Sequence, residues 1–239
     1  MDHNDPMLCS WKCKPSRVAG LRYVPTTEPE YSDDEQRIFM LKNGALSLPM
    51  CIHSNRDGYV TLINNGPSVR QSHADMVRDA VSVNTKNVLE IGVNVYQKPL
   101  LSTTRAVLAT KQSDCTYLGI DVNDKSGIDC EDEHVHTMII DSSRRSEIRA
   151  KMIELGMLTI DLLLIDGDHS ISATINDWCF TEFLSPHGVV IIHDTNVHTG
   201  PRAVFDAIDE MSFQKRLIGS EMKSGKFPDY GMGLARRLF

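Results

Sequence analysis

Long apolar runs are missing from this chain: no stretch approaches the roughly 18 consecutive apolar residues that a membrane-spanning helix needs. Residues Met1 to Pro15 contain Asp2, Asp5, Lys12 and Lys14 and no apolar segment, so they do not read as a secretory signal. A basic excess is missing as well. Among 239 residues, 25 Lys and Arg stand against 32 Asp and Glu, a formal net charge of -7, and no basic stripe marks a duplex-binding face. The expectation is that neither membrane nor nucleic acid is a partner. Paired cysteines are scarce: of Cys9, Cys13, Cys51, Cys115, Cys130 and Cys179 only the first two lie close. No second Cys or His pair completes a four-ligand zinc site, and reduced thiols in a cytoplasmic protein are expected. Internal repeats and low-complexity tracts are absent.

The composition that remains is ordinary for a globular protein, 41% hydrophobic and 24% charged, long enough for one large domain or one domain with an appendage. Residues 1–70 show little sustained periodicity. They are punctuated by Pro6, Pro15, Pro25, Pro29, Pro49 and Pro67, with an acidic knot from Glu28 to Glu35. They read as an N-terminal arm or cap, with apolar pieces at Arg37–Leu41 and Tyr59–Ile63 suited to a helical turn and a strand.

Residues 71–239 read as the main domain. Met76, Val77, Ala80 and Val81 place a helix over Gln71–Val83. Apolar strands are predicted at Asn87–Gly92, Thr116–Asp121, Thr137–Asp141, Ile160–Asp166 and Gly188–Asp194. Helices are expected around Leu100–Thr110, at Ile148, Met152 and Ile153, along the stripe Ile171, Ile175, Trp178, Cys179 and Phe183, and at Val204, Ile208 and Met211. Pro201 suits the first turn of the last of these. Strands apolar on both faces and alternating with helices predict a doubly wound, Rossmann-like α/β fold with five parallel strands. Arg216–Met222 and Gly231–Leu238, with no helix between them, add a C-terminal antiparallel hairpin.

Acids stand at the carboxyl ends of these strands: Glu90, Asp121, Asp141, Asp166 with Asp168, and Asp194. That edge is where open α/β sheets bind ligands. The first strand–helix turn, Gly92-Val-Asn-Val-Tyr96, lacks two of the three glycines of a dinucleotide fingerprint, and Val93, Val95 and Tyr96 would keep a pyrophosphate away from helix-terminal N–H groups. A cationic or hydroxyl-rich nucleoside fits the acids better. One acid can accept ribose hydroxyls while another faces a positive group. Asp166 and Asp194 end adjacent strands, and two converging acids share a proton or hold a hard divalent cation.

The motifs Val88-Leu-Glu-Ile-Gly92, Ser102-Thr-Thr-Arg-Ala-Val107, Leu118-Gly-Ile-Asp121 and Asp141-Ser142 resemble the successive cofactor motifs of class I S-adenosylmethionine-dependent methyltransferases. Leu164-Ile-Asp-Gly-Asp-His-Ser170 followed by Ile191-Ile-His-Asp-Thr195 resembles the macrocin O-methyltransferase and cephalosporin-hydroxylase-like subgroup. The resemblance covers about Gln71 to Phe239. It implies a transferase that uses S-adenosyl-L-methionine to methylate a hydroxyl of a small molecule, such as a sugar or a natural-product scaffold. Glu90 and Gly92 would lie against the amino-acid part of the cofactor, Asp121 on the ribose, and Asp141 with Ser142 beside the adenine. Asn94, Thr103 and Asp166 complete the implied cofactor set. Asn94 and Tyr96 stand where that family usually has small residues, and a cofactor-binding scaffold without transfer activity is the alternative reading. By analogy with relatives, a homo-oligomer is expected.

In the antibiotic O-methyltransferases that this chain resembles, acids at the fourth and fifth strands bind Mg²⁺, which activates the substrate hydroxyl. The corresponding metal set here is Asp166, His193 and Asp194, with Mg²⁺ or Mn²⁺ as the ion. His193 stands where relatives have a second acid, and imidazole favours Mn²⁺, Fe²⁺ or Zn²⁺ over Mg²⁺. Asp168 resembles the position of the general base. His169 is either a solvent-facing residue at a helix start or a proton acceptor or additional ligand. His198, like the remaining histidines, shows no ligand spacing.

Overall fold

A computed structural model describes residues 52–54, 60–62, 71–82, 84–94, 102–218 and 230–239. The predicted helical turn at Arg37–Leu41 lies outside them, as do most of residues 1–70. Ahead of the main sheet, β1 (Ile52–Ser54) and β2 (Val60–Leu62) pair antiparallel, and β2 falls inside the strand expected at Tyr59–Ile63.

The main body is a seven-stranded sheet wound on both faces. Helix α1 (Gln71–Ala80) leads into β3 (Asn87–Ile91), α2 (Thr103–Leu108), β4 (Thr116–Asp121) and β5 (Val135–Ile139). There follow α3 (Arg145–Glu154), β6 (Ile160–Ile165), α4 (Ile171–Trp178), β7 (Leu184–His193), α5 (Thr199–Ala207), β8 (Phe213–Ile218) and β9 (Met232–Arg237). The strand order is β5-β4-β3-β6-β7-β9-β8. The first five run parallel, and β9 inserts antiparallel between β7 and β8. The hairpin pairs as expected, with its first strand at Phe213–Ile218, earlier than the predicted Arg216–Met222.

Alternation along each strand divides the core in two. Leu89, Ile91, Leu118, Ile120, Leu163, Ile165, Val190 and Ile192 pack with α3, α4 and α5 through Ile148, Met152, Ile171, Ile175, Trp178 and Val204. Val88, Tyr117, Leu162, Leu164, Val189 and Ile191 face the other way, onto Met76, Val77, Ala80, Ala106 and Val107 of α1 and α2. Burial on both faces is why the central strands are continuous apolar runs.

Several apolar residues of the helical stripes lie elsewhere than the spacing suggests. Ile153 and Met211 are exposed. α5 ends at Ala207 because Ile208 leaves the helix with ψ 130, so Met211 falls beyond it. Cys179 and Phe183 sit on a separate 3-10 turn after Trp178; Phe183 still packs against the core.

From β3 the chain steps outward to β4 and β5, then returns to β6 on the other side of β3. This reversal splays the connections apart and opens a crevice beyond the carboxyl ends of β3 and β6.

Candidate functional site

That crevice is a cavity of about 510 Å³. Its wall brings together Gly92, Asn94, Asp121, Asp166, His169, His193 and Asp194, all singled out by the sequence, and adds Val93, Lys125 and Tyr230.

The turn after β3 is tightly specified. Gly92 has φ +84, and a Cβ there would lie 2.0 Å from the backbone oxygen of Asp166, so no other residue fits. Val93 N–H donates to Asp121 Oδ2 at 3.0 Å, tying the turn to the end of β4. Asn94 N–H donates to Thr104 Oγ1 at 3.1 Å. Asp121 Oδ1 accepts from Asn123 N and Nδ2, and Lys125 Nζ stands 3.6 Å from Oδ2. Asn94 Oδ1 is buried with no hydrogen-bond partner among the described residues, an acceptor left for a ligand's donor.

Glu90 is placed behind this turn, off the cavity wall. It is fully buried, and its carboxylate accepts from Thr103 Oγ1 at 2.9 Å, Thr104 Oγ1 at 3.0 Å and Tyr117 OH at 2.5 Å. Burial pushes its carboxyl up to about 7 against the opposing pull of those hydroxyls. Thr104 both donates to Glu90 and accepts from Asn94 N, so the buried acid grips the turn through one side chain. Gly119 faces Glu90 across the β3–β4 ladder. A Cβ at Gly119 would lie 2.8 Å from the Tyr117 hydroxyl, so the glycine leaves the space through which Tyr117 reaches Glu90.

Across the crevice, the ends of β6 and β7 hold a cluster of acids and histidines. His193 Nδ1 lies 2.7 Å from Asp194 Oδ1 and 3.2 Å from Asp166 Oδ1. His169 Nε2 lies 3.0 Å from Asp194 Oδ2. Asp194 thus turns one oxygen to each histidine. Burial disfavours its charge, but the two histidines hold its carboxyl well below the usual carboxylate range. Burial likewise opposes charge on His193, while Asp166 and Asp194 raise it well above the ordinary imidazole value. His198 stacks on His169 with ring centroids 4.0 Å apart and planes within 7°; burial, with His169 alongside, brings it down to about 4. His73 of α1, fully buried, meets the His193 ring edge-on at 5.6 Å. Among the described residues two sets, Asp166–His193–Asp194 and His169–Asp194–His198, bring donor atoms within 4.8 Å of one another.

The remaining predicted residues lie off the wall. Thr103 is buried with its hydroxyl on Glu90. Asp168 is exposed and its Oδ1 accepts from Ser170 N at 2.8 Å, at the start of α4. Asp141 is exposed and accepts from Ser143, which holds its carboxyl below the usual range. Ser142 bonds the buried Asp177 of α4, whose carboxyl burial pushes up to about 7. Sequence reasoning missed Lys125, Tyr230, the Thr104–Tyr117 cage and His198. Of these only Tyr117 carried a signal: in Tyr117-Leu-Gly119 the glycine lies two residues along the same strand face.

The chain matches no protein-family model and no curated protein sequence. Solved structures do resemble it. An O-methyltransferase from Bacillus cereus in complex with SAH superposes with a TM-score of 0.50 at 13% identity, covering 87% of this chain and 92% of that one. An rRNA methylase from Streptococcus thermophilus gives 0.50 at 11% identity, covering 71% and 98%. MycE, a methyltransferase of the mycinamycin biosynthetic pathway in complex with Mg, SAH and mycinamycin VI, gives 0.46 at 15% identity. That match covers 70% of this chain and 48% of MycE, so the chain spans about half of MycE's length. The fold is that of the S-adenosylmethionine-dependent methyltransferases. Its neighbours include an O-methyltransferase and an rRNA methylase, so the fold leaves the acceptor to be argued from the site.

Proposed function

We propose that the chain is an S-adenosylmethionine-dependent O-methyltransferase acting on a hydroxyl of a small molecule, a sugar or a natural-product scaffold, with a divalent ion assisting. The observation that supports this is the shared wall of one cavity: the Gly92–Asn94 turn and Asp121 on one side, Asp166, His169, His193 and Asp194 on the other. The donor side has room for the nucleoside. Asn94 Oδ1 suits the ammonium of the methionine part, and Asp121 Oδ2 retains acceptor capacity for a ribose hydroxyl. Glu90 serves the cofactor from behind, through Thr104.

S-adenosylmethionine supplies an electrophilic methyl, and a neutral alcohol is a poor nucleophile toward it. Asp166, His193 and Asp194 would hold the ion, which supplies Lewis-acid polarisation of the acceptor hydroxyl. The buried donors fit such an ion: His193 Nδ1 and Asp194 Oδ1 lack hydrogen-bond partners among the described residues. His169, on the wall with Nε2 facing Asp194, takes the acceptor proton at Nδ1. The acceptor oxygen forms the O–CH₃ bond as the S–CH₃ bond breaks and the bonding pair passes to sulfur. We assign the base to His169 over Asp168, whose carboxylate is engaged by Ser170 outside the cavity. An acceptor-side wall built of carboxylates, on a chain of net charge -7, repels a polyanion such as RNA. The setting in this reading is the cytoplasm.

The test uses S-adenosylmethionine carrying a labelled methyl, offered with a panel of glycosides and hydroxylated natural products and, separately, with ribosomal RNA. Label in the small-molecule fraction, lost in Asp166→Asn, is expected. Label in RNA overturns the acceptor class. Failure of the cofactor to bind in calorimetry overturns the whole reading, and binding with no transfer to any acceptor favours a scaffold.

A further inference from the structure

We infer that the Asp166–His193–Asp194 site selects a first-row transition ion of the Mn²⁺ to Co²⁺ class over Mg²⁺, with His193 as the discriminating ligand. The inference rests on the metal-assisted reading above and specifies its ion.

The geometry locates the ion first. His193 Nδ1 approaches Asp194 Oδ1 at 2.7 Å and Asp166 Oδ1 at 3.2 Å, yet Nδ1 has no hydrogen-bond partner among the described residues. These are contacts at hydrogen-bond distance that do not count as hydrogen bonds among the described residues. They match the edges of a coordination polyhedron: bonds of about 2.1 Å at right angles put neighbouring ligand atoms about 3 Å apart. The other set, His169–Asp194–His198, does not qualify. A ligated ion lies in the plane of each imidazole that binds it, and the His169 and His198 planes are parallel within 7° and face to face at 4.0 Å. Such planes do not meet at one ion, so His169 stays available as the base.

Two features then set the preference. The donor set is one imidazole nitrogen with two carboxylates, and nitrogen ligands favour later first-row ions, whereas Mg²⁺ prefers oxygen throughout. The donors are also withdrawn from water: the side chains of His193, Asp194 and Asp166 are 3%, 10% and 11% exposed. Mg²⁺ gives up its hydration shell reluctantly. The nitrogen ligand and the low exposure of the donors act in the same direction.

The experiment titrates the chelator-stripped full chain with Mn²⁺ and with Mg²⁺ by calorimetry, without cofactor or acceptor. Mn²⁺ is expected to bind tighter by about tenfold or more, the scale on which such sites respond to changes around a ligand. Bound Mn²⁺ should show spin-echo modulation from a directly coordinated ¹⁴N. His193→Glu, which makes the set all oxygen, should cut the Mn²⁺-to-Mg²⁺ affinity ratio by about tenfold. Equal or reversed affinities, absence of the nitrogen coupling, or no binding of either ion overturns the inference. The first two readouts need only the native chain, so they decide even where the buried His193→Glu change prevents folding. Cofactor binding is measured in a separate titration. Its failure removes the transferase reading alone, and its success beside an absent Mn²⁺ preference removes this inference alone.

Discussion

Replacing Glu90 by Gln should change how stability depends on pH, in a direction fixed by burial. In the unfolded chain the carboxyl titrates near its ordinary 4.5; in the fold it is pushed up to about 7. Between these values the native state binds the proton and the unfolded state does not, so stability falls as pH rises. The contribution is fully present below 4.5 and lost as pH passes about 7. At 1.36 kcal/mol per unit the full loss is about 3 kcal/mol, most of it between pH 5 and pH 8. Gln keeps the volume and leaves an amide oxygen for Thr103 and Thr104, but it does not titrate. Urea unfolding of both chains at pH 5 and pH 8 isolates the effect, because Asp177, also raised to about 7, contributes equally to each and cancels. The variant should gain on the native chain by about 2–3 kcal/mol on going from pH 5 to pH 8. A stability difference that does not move with pH refutes the reasoning: Glu90 would then not be a buried acid held proton-bound by its surroundings.

Other outcomes follow from the same geometry. Gly92→Ala, which drives a Cβ to 2.0 Å from the Asp166 carbonyl at φ +84, should destabilise the fold by at least about 2 kcal/mol in denaturant melts and abolish calorimetric cofactor binding. Thr104→Val removes the link from Glu90 to Asn94 N and should weaken cofactor affinity about fivefold to tenfold, on the scale of one buried hydrogen bond, with Thr104→Ser restoring it. His169→Gln should lower kcat by about 10²–10⁴ while cofactor affinity stays unchanged; a loss of affinity instead of rate would place His169 in binding.

The legible part of the fold is the part where burial is symmetric. β3, β6 and the end of β7 are covered on both faces and stand out as Val88–Ile91, Leu162–Ile165 and Val189–Ile192. The start of β7 was not legible. The strand begins at Leu184 and takes in Pro186, His187 at φ 62 and Gly188, residues that by themselves signal a turn. Its ladder with β6 is irregular between Ile160 and Leu162, which is where the extra residues are accommodated. In the site, the acids at the strand ends were legible because topology alone brings such ends to one rim. Which of them line the crevice was not. Glu90 is drawn inward by hydroxyls from α2 and β4, and Asp141 and Asp168 turn outward onto Ser143 and Ser170. The His169–His198 stack joins two loops whose separation in sequence carries no spacing signal.

Asp194 shows what the site demands of the backbone. It sits at φ 61, a left-handed conformation that costs a non-glycine residue about 1–3 kcal/mol. The cost is offset locally: the Asp194 carbonyl accepts from Val197 N at 3.2 Å and His198 N at 3.1 Å, closing the turn into α5. The same turn directs the carboxylate back across the end of β7, so that Oδ1 meets His193 and Oδ2 meets His169. A glycine would relieve the strain and lose the carboxylate, and a relaxed backbone would carry the carboxylate away from one histidine or the other. In the proposed reaction this one group links the ion's ligand to the base, so their relative position is set by the β7–α5 turn and not by two independent loops. The strained residue is therefore where the ion and the proton acceptor are brought into register.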